Sequence, residues 1–152
     1  MIDPGIEGRK LETVSFELDR SKLAELAHAF HEQDPVWFDP EAARAAGFDT
    51  VPAPPTATVV ADHMRPGGAL AHAEALGMDI ARLLHGEAGW EFERPLQLGD
   101  RLTASTKVTG LKTREGKRGG TMSFVALETT FTDADGTLVA TRTDTLIETG
   151  AA

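Results

Sequence analysis

Residues 102–147 read LTASTKVTGLKTREGKRGGTMSFVALETTFTDADGTLVATRTDTLI. The stretch contains three segments rich in Thr, Val, Leu and Phe, residue types that favour strands. These segments are residues 102–108, 122–131 and 138–147. Clusters of Gly, Asp and charged residues separate them and are typical of turns. The pattern predicts three long antiparallel strands joined by hairpins.

The first half of the chain predicts helices. Asp19 is a typical N-cap before apolar residues at helical spacing. Asp39 followed by Pro40 predicts a second helix start, and Gly47 is typical of its left-handed end. Residues 56–64 are small and apolar and predict a buried central helix. Shorter elements are predicted as a helix at residues 69–76 and strands at residues 11–18 and 87–93. Helices that precede a meander favour an α+β domain with an antiparallel sheet packed on one helix.

Composition restricts the function classes. At 152 residues the chain is expected to be one domain, residues 1–152, with residues 1–10 as a polar arm. A net charge of −9 argues against nucleic-acid binding, and the lack of cysteine excludes disulfides and thiol catalysis. No signal-peptide pattern or apolar run long enough to cross a membrane is found, so a cytoplasmic protein is expected. His28 and His31 are not spaced as a helical zinc pair, and no metal or redox cofactor is expected.

Basic residues concentrate in one hairpin. Residues 101–118 contain six of the fifteen Lys and Arg residues and one acid. A basic hairpin on an acidic protein suits the phosphates of coenzyme A or an acidic carrier protein. The alternative is a solvated hairpin whose charges serve solubility. The candidate binding residues are Lys112, Arg114, Lys117 and Arg118.

Several short motifs occur in order along nearly the whole chain. They are FHEQDPVWFDPEAA (30–43), APPT (53–56), HGE (85–87), FERPL (92–96), GD (99–100), GKRGG (116–120) and DGTLVA (135–140). Together they resemble the MaoC-like hydratase/dehydratase family, and more narrowly its N-terminal, fatty-acid-synthase-type dehydratase domain. The resemblance implies a hotdog fold, in which an antiparallel sheet wraps around a central helix. It also implies addition of water to enoyl thioesters, or the reverse dehydration, on coenzyme A or acyl carrier protein.

The family's catalytic motif, Gly-Asp-x-Asn-Pro-(Ile/Leu/Val)-His-x-Asp, is altered in this chain. Aligned without gaps, its first Asp falls on Glu32, its His on Trp37 and its last Asp on Asp39. An indole has one N–H donor and no acceptor, so Trp37 cannot be a general base. The resemblance then leaves Glu32 as the candidate carboxylate and His31 beside it as a substitute base.

A second position departs from the family as well. The family's Ala-His-Gly before the central helix falls on residues 53–55, and Pro55 lacks the N–H that holds the thioester oxygen. The amide of Thr56 is the nearest replacement. Two such losses favour an acyl-binding subunit paired with a second MaoC-like chain that carries the intact Asp and His. Trp37, Phe48, Pro55 and Thr56 are then candidates for the wall of the acyl site.

Two alternatives remain open from the sequence. One is a self-sufficient homodimeric enoyl-CoA hydratase that uses Glu32 with His31. The other is a hotdog acyl-CoA thioesterase that uses Asp62 on the predicted central helix. In each case a homodimer or heterodimer is expected, because a single hotdog sheet leaves a free edge and an uncovered face. His85 is expected to be structural and to orient Glu87 or the turn.

Overall fold

A computed structural model describes residues 2–116 and 120–150. The predicted binding residues Lys117 and Arg118 lie outside this part. The strands are β1 (Val14–Glu17), β2 (Leu83–Phe92), β3 (Arg101–Glu115), β4 (Thr121–Thr132) and β5 (Leu138–Glu148). The α-helices are α1 (Arg20–Ala29), α2 (Pro40–Ala45), α3 (Val60–Met64) and α4 (Ala71–Ala75). Short 3₁₀ helices cover Pro35–Trp37, Pro55–Val59, Gly68–Leu70 and Ile80–Arg82.

The five strands form one antiparallel sheet in the order β1-β3-β4-β5-β2. The three predicted long strands are confirmed as β3, β4 and β5. The strand predicted at residues 87–93 starts earlier, at Leu83, because a bulge between His85 and Glu87 lets the pairing with β5 continue past Gly86. A bulge adds one residue to a strand without ending it.

The predicted central helix is confirmed and lies on one face of this sheet. The chain enters it as a 3₁₀ turn at Pro55–Val59 and continues as α3. Ala57, Val60 and Ala61 of this helix are buried against the sheet, where Phe131 of β4 is fully buried. The face of the sheet that carries the helix is called the inner face below. The helical caps are as expected, since Asp19 and Asp39 accept backbone N–H bonds at their helix starts.

A polar row divides the core. Strand register places Thr106, Thr129, Arg142 and Trp90 side by side across the inner face. Two separate clusters of buried apolar residues lie on either side of this row, one around Phe131 and one around Val108, Val125 and Leu127. The central helix therefore packs on the cluster around Phe131, whereas Ala73 and Leu76, in and just after α4, cover the second cluster on the other side of the polar row.

The N-terminal segment is not only a polar arm. Ile2 and Ile6 are 5% and 2% exposed and belong to the second apolar cluster. Lys10 pairs with Lys107 as an isolated antiparallel bridge, which holds the segment along β3. The expectation that residues 1–10 form a polar arm is therefore corrected for Ile2 and Ile6. The two isoleucines are four residues apart in a short stretch of Gly, Pro and charged residues, where no periodic pattern could reveal their burial.

Candidate functional site

The altered motif forms a capped turn. The carboxylate of Asp34 accepts the N–H of Val36 at 2.9 Å and starts the 3₁₀ turn that contains Trp37. The carboxylate of Asp39 accepts the N–H of Glu41 at 3.0 Å and starts α2. Each carboxylate thus satisfies a helix N-terminus. This segment is organised by backbone capping and contains no imidazole where the motif has one.

Trp37 lies against the apolar core. The half-buried indole lines a mostly apolar cavity of about 190 Å³ with Phe38, Leu23 and Val51, and Arg20 also borders this cavity. Leu23 and Val51 also belong to the apolar cluster around Phe131. The indole therefore occupies an apolar environment suited to an acyl chain and unsuited to proton transfer.

The structure does not join Glu32 and His31 into a catalytic pair. His31 follows the end of α1 in a left-handed conformation with φ of 58°, and the residue is exposed. Glu32 is half-buried, and its backbone N–H bonds to Ala27 O. Within residues 2–116 and 120–150, neither side chain makes a hydrogen bond. Phe48, a candidate for the acyl-site wall, is 39% exposed.

The start of the central helix is open to solvent. Pro55 is its first residue, and both Pro55 and Thr56 are exposed. The N–H of Ala57 is already used by Pro54 O at 2.8 Å. The amide of Thr56 comes before the first intrahelical bond, where N–H groups have no partner in the helix. Its position is therefore compatible with a carbonyl ligand.

Asp62 is the centre of a buried charge network. Its carboxylate accepts two bonds of 2.9 Å from the guanidinium of Arg142 and a further bond from Arg65. Arg142 also donates from Nε to Asp144 at 2.8 Å, and Arg65 reaches Thr106 of the polar row. The side chains of Arg65 and Arg142 are 2% and 7% exposed. Two carboxylates and two guanidinium groups thus neutralise each other between helix and sheet.

The network keeps Asp62 ionised. Burial opposes the charge, but the hydrogen bonds and positive charges of Arg142 and Arg65 outweigh it and hold the pKa of Asp62 below its ordinary value. Nearby His72 is instead held in its uncharged form, because burial and then the charge of Arg65 lower its pKa to about 4. His72 is therefore neutral near pH 7.

His85 contacts a different partner from the one expected. Its Nε2 lies 3.1 Å from Asp144 Oδ1, so it pairs with a buried carboxylate on β5 and not with Glu87. The imidazole itself is 56% exposed on strand β2. Asp144 is in turn held by Arg142. The chain therefore presents an anchored imidazole at the edge of its sheet.

The predicted basic residues lie elsewhere. Lys112 and Arg114 are on the outer face of the sheet, the face opposite the central helix, because they pair with Phe124 and Met122 while the alternate residue Val125 is buried inside. They line a groove of about 430 Å³. The structure thus separates these cations from the Trp37 cavity.

Sequence reasoning missed Arg65, Arg142 and Asp144. A usable signal was present in residues 140–146, ATRTDTL, where Thr alternates with Ala, Arg, Asp and Leu. Alternate residues of a strand share a face. Arg142 and Asp144 therefore share the face of Ala140 and Leu146, and burial next to a countercharge follows.

The described ranges contain no group of three or more His, Asp or Glu side chains placed to bind a metal. Among these residues, no helix is long and apolar enough to cross a membrane.

Curated relatives are similar in sequence to this chain over nearly its whole length. A UPF0336 protein of Saccharopolyspora erythraea is 35% identical and covers 99% of this chain and 94% of its own. A UPF0336 protein of Clavibacter michiganensis is 37% identical over 98% of this chain and 97% of its own. These names assign no activity.

Solved structures show the same fold. The truncated HadBC (3R-hydroxyacyl-ACP dehydratase) complex of Mycobacterium tuberculosis contains a chain that is 26% identical, with a TM-score of 0.75 over 93% of this chain and 96% of that one. The ChsH1-ChsH2 complex of the same organism matches at 19% identity and a TM-score of 0.76, covering 95% of this chain and 86% of that one. These matches and the helix-wrapping sheet establish the hotdog fold of MaoC-like dehydratases.

The family described as FAS1-like, dehydratase domain region matches residues 6–142, which is most of the chain. It agrees with the relatives and with the fold of the solved dehydratases. The chain therefore belongs to the FAS1-like dehydratase region family and has the MaoC-like hotdog fold.

Proposed function

We propose that this chain is the acyl-binding subunit of an (R)-specific enoyl-thioester hydratase or (3R)-hydroxyacyl-thioester dehydratase. The observation that carries the proposal is the motif segment itself. Trp37 stands in place of the catalytic imidazole and lines an apolar cavity, and Asp34 and Asp39 cap helices. Trp37, Phe48, Pro55 and Thr56 form part of the acyl site, while a partner supplies the Asp and His that move protons.

The free edge of the sheet supports a partner of the same fold. Within the part of the chain that the structure describes, strand β2 pairs with β5 on one side and has no partner on the other, and it carries exposed Leu84, Trp90 and Phe92. Unpaired edges with apolar side chains are ready to pair with another strand. Two of the similar structures are complexes of two named subunits, HadBC and ChsH1-ChsH2. A second MaoC-like chain bound along β2 would cover this edge.

The position of Asp62 disfavours the thioesterase alternative. A hydrolytic carboxylate must be free to take a proton from water or to attack the thioester. The Asp62 carboxylate instead accepts three bonds from Arg65 and Arg142 and has a lowered pKa. Its role is to neutralise the two arginines.

Hydration of crotonyl-CoA tests the proposal. We expect no loss of enoyl-thioester absorbance with the purified chain alone, and hydration once a MaoC-like chain with the intact motif is added. Free thiol is followed in the same sample so that cleavage is not mistaken for hydration. A mixed pair that stays inactive, although both chains are folded and associated, would refute the subunit role.

Single variants decide between the subunit and the homodimer. Robust hydration by the chain alone that is lost in Glu32→Gln would overturn the proposal in favour of a self-sufficient enzyme. His85→Ala belongs in the same series, because His85 with Asp144 is a described pair of imidazole and carboxylate.

A Leu84→Lys/Phe92→Lys variant should weaken association at least about tenfold, since charge blocks edge pairing. Leu138→Lys, which is 38% exposed at the start of β5, is its control.

A further inference from the structure

The outer face of the sheet carries a groove with a narrow floor. Gly110 and Ala126 pair across β3 and β4 and form this floor, which a bulge between Val108 and Gly110 adjoins. Their side chains are small, so a depression of about 430 Å³ opens between larger neighbours. The other lining residues are Lys112, Thr113, Arg114, Phe124 and Thr145.

Two cations of the groove lack a countercharge. Lys112 and Arg114 have no salt bridge within the ranges 2–116 and 120–150, whereas Lys107, on the same strand and face, pairs with Glu128 at 2.7 Å. The guanidinium carbon of Arg114 lies 5.0 Å from the centroid of the Phe124 ring. In a chain of net charge −9, uncompensated cations beside an aromatic ring favour an anionic ligand.

The groove is separate from the acyl cavity. The Trp37 cavity adjoins the apolar cluster that contains Ala104, on the inner face of β3. Lys112 lies eight residues further along β3 on the outer face, which corresponds to about 25 Å at the rise of a strand. A ligand whose acyl group lies beside Trp37 would have to pass around the sheet to reach Lys112 of the same chain.

We propose that this outer-face groove binds a nucleotide, in which a sugar joins a planar base to phosphate groups. Lys112 and Arg114 supply charge-assisted bonds to phosphate. The guanidinium plane of Arg114, held over Phe124, offers a surface on which a base stacks, and the Gly110 and Ala126 floor leaves room for a flat ring. A volume of about 430 Å³ lies in the range of small-molecule sites. The ligand is either a free nucleotide or the nucleotide end of coenzyme A, and only the second source rests on the proposed function.

Calorimetric titration of the full chain with adenosine 3′,5′-bisphosphate tests the site. We expect saturable binding that is at least about tenfold weaker in Lys112→Ala/Arg114→Ala. The matched control is Arg101→Ala/Lys107→Ala, which removes two positive charges from the same strand and face, where both are already paired with glutamates. No binding at millimolar ligand, or an equal loss in the two double variants, would overturn the proposal.

Inorganic pyrophosphate tests recognition of the base. We expect it to bind more weakly than the bisphosphate, and we expect Phe124→Leu to weaken the nucleotide severalfold with little effect on pyrophosphate. Equal affinity for the two ligands would show that phosphate alone is bound and would contradict a nucleotide site.

Coenzyme A identifies the source of the nucleotide. Binding as tight as that of the bisphosphate assigns the groove to coenzyme A, and binding of the bisphosphate alone assigns it to a free nucleotide. Both outcomes support the site. Because titration uses this chain by itself, an inactive mixed pair in the hydration assay would refute the proposed function without affecting this result.

Discussion

Asp62 shows how much one side chain can hold in place. It is the shared acceptor of Arg65 and Arg142, two arginines that are almost fully buried. Removing one member of a buried ion cluster leaves the others desolvated and unpaired, which costs far more than the intact cluster contributes. Asp62 should therefore contribute more to the stability of the fold than a residue of an exposed ion pair does.

Asp62→Ala should lower the free energy of unfolding by about 3–5 kcal/mol, because both guanidinium groups lose their main countercharge. Urea denaturation of the full chain measures the change. The control is Glu25→Gln, which breaks an exposed pair with Lys22 and should cost at most about 0.5 kcal/mol. A loss below about 1 kcal/mol in Asp62→Ala would mean that the arginines regain water without unfolding.

Strand β2 continues through Gly86, because this glycine forms a bulge and does not end the pairing with β5. Gly86 is the extra residue of the bulge, and a Cβ at this position would lie 2.6 Å from Cδ1 of Ile147 and 3.2 Å from the Thr145 carbonyl oxygen. The absence of a side chain lets β2 and β5 approach closely here. His85 precedes the bulge and so keeps its side chain turned toward Asp144.

Gly86→Ala should destabilise the fold by about 1–3 kcal/mol, because the new methyl group overpacks against Ile147. Adding Ile147→Val removes Cδ1 and should recover part of the loss, which a double-mutant cycle detects as coupling of at least about 0.5 kcal/mol. Gly110→Ala is the control, since among the described residues its Cβ would come within 4 Å of Ala126 alone, at 3.9 Å. Strictly additive losses would place the strain elsewhere in the bulge.

The elements themselves were largely predictable from sequence. Caps such as Asp19 and Asp39 bond to residues two or three positions further on, and strand alternation is a pattern of consecutive residues. Both signals can therefore be recognised from short stretches of sequence. The start of β2 was missed because Gly86 reads as a break in the sequence and is a bulge in the sheet. The Asp62–Arg142 contact was missed because 80 residues separate its partners, and only the assembled sheet brings them together.

At the scale of the whole molecule, the candidate site was only partly predictable. The resemblance located the altered motif and Trp37, and the structure places both beside an apolar cavity. The resemblance could not indicate that Lys112 and Arg114 lie on the opposite face of the sheet. The bulge between Val108 and Gly110 adds a residue to β3 and so changes which of the following side chains face outward.

Acid should weaken the whole fold through His72. Its pKa is about 4 in the folded chain, where burial and Arg65 disfavour the cation, against an ordinary value of 6.5. Between these values the unfolded chain binds more protons, so the free energy of unfolding falls as the pH is lowered from about 6.5 to about 4. Because the ring is partly accessible, we expect a loss of roughly 1–2 kcal/mol.

His72→Gln should flatten this part of the pH profile, measured by urea denaturation at several pH values. His31→Asn, at an exposed left-handed position that asparagine accepts, should leave the slope unchanged. Below about pH 4, protonation of Asp62, whose pKa is lowered, adds a further loss in both variants. An unchanged slope in His72→Gln would assign the acid sensitivity to other groups.

The buried charge network around Asp62 also constrains how this sequence can diverge. Asp62, Arg65, Arg142 and Asp144 neutralise one another away from water, so replacing a single member leaves one buried charge in excess. Replacing all four by apolar residues of similar volume would cost little, but each intermediate sequence would be less stable than either end. Replacing the four residues one at a time should therefore pass through less stable sequences, whereas replacing them together should not.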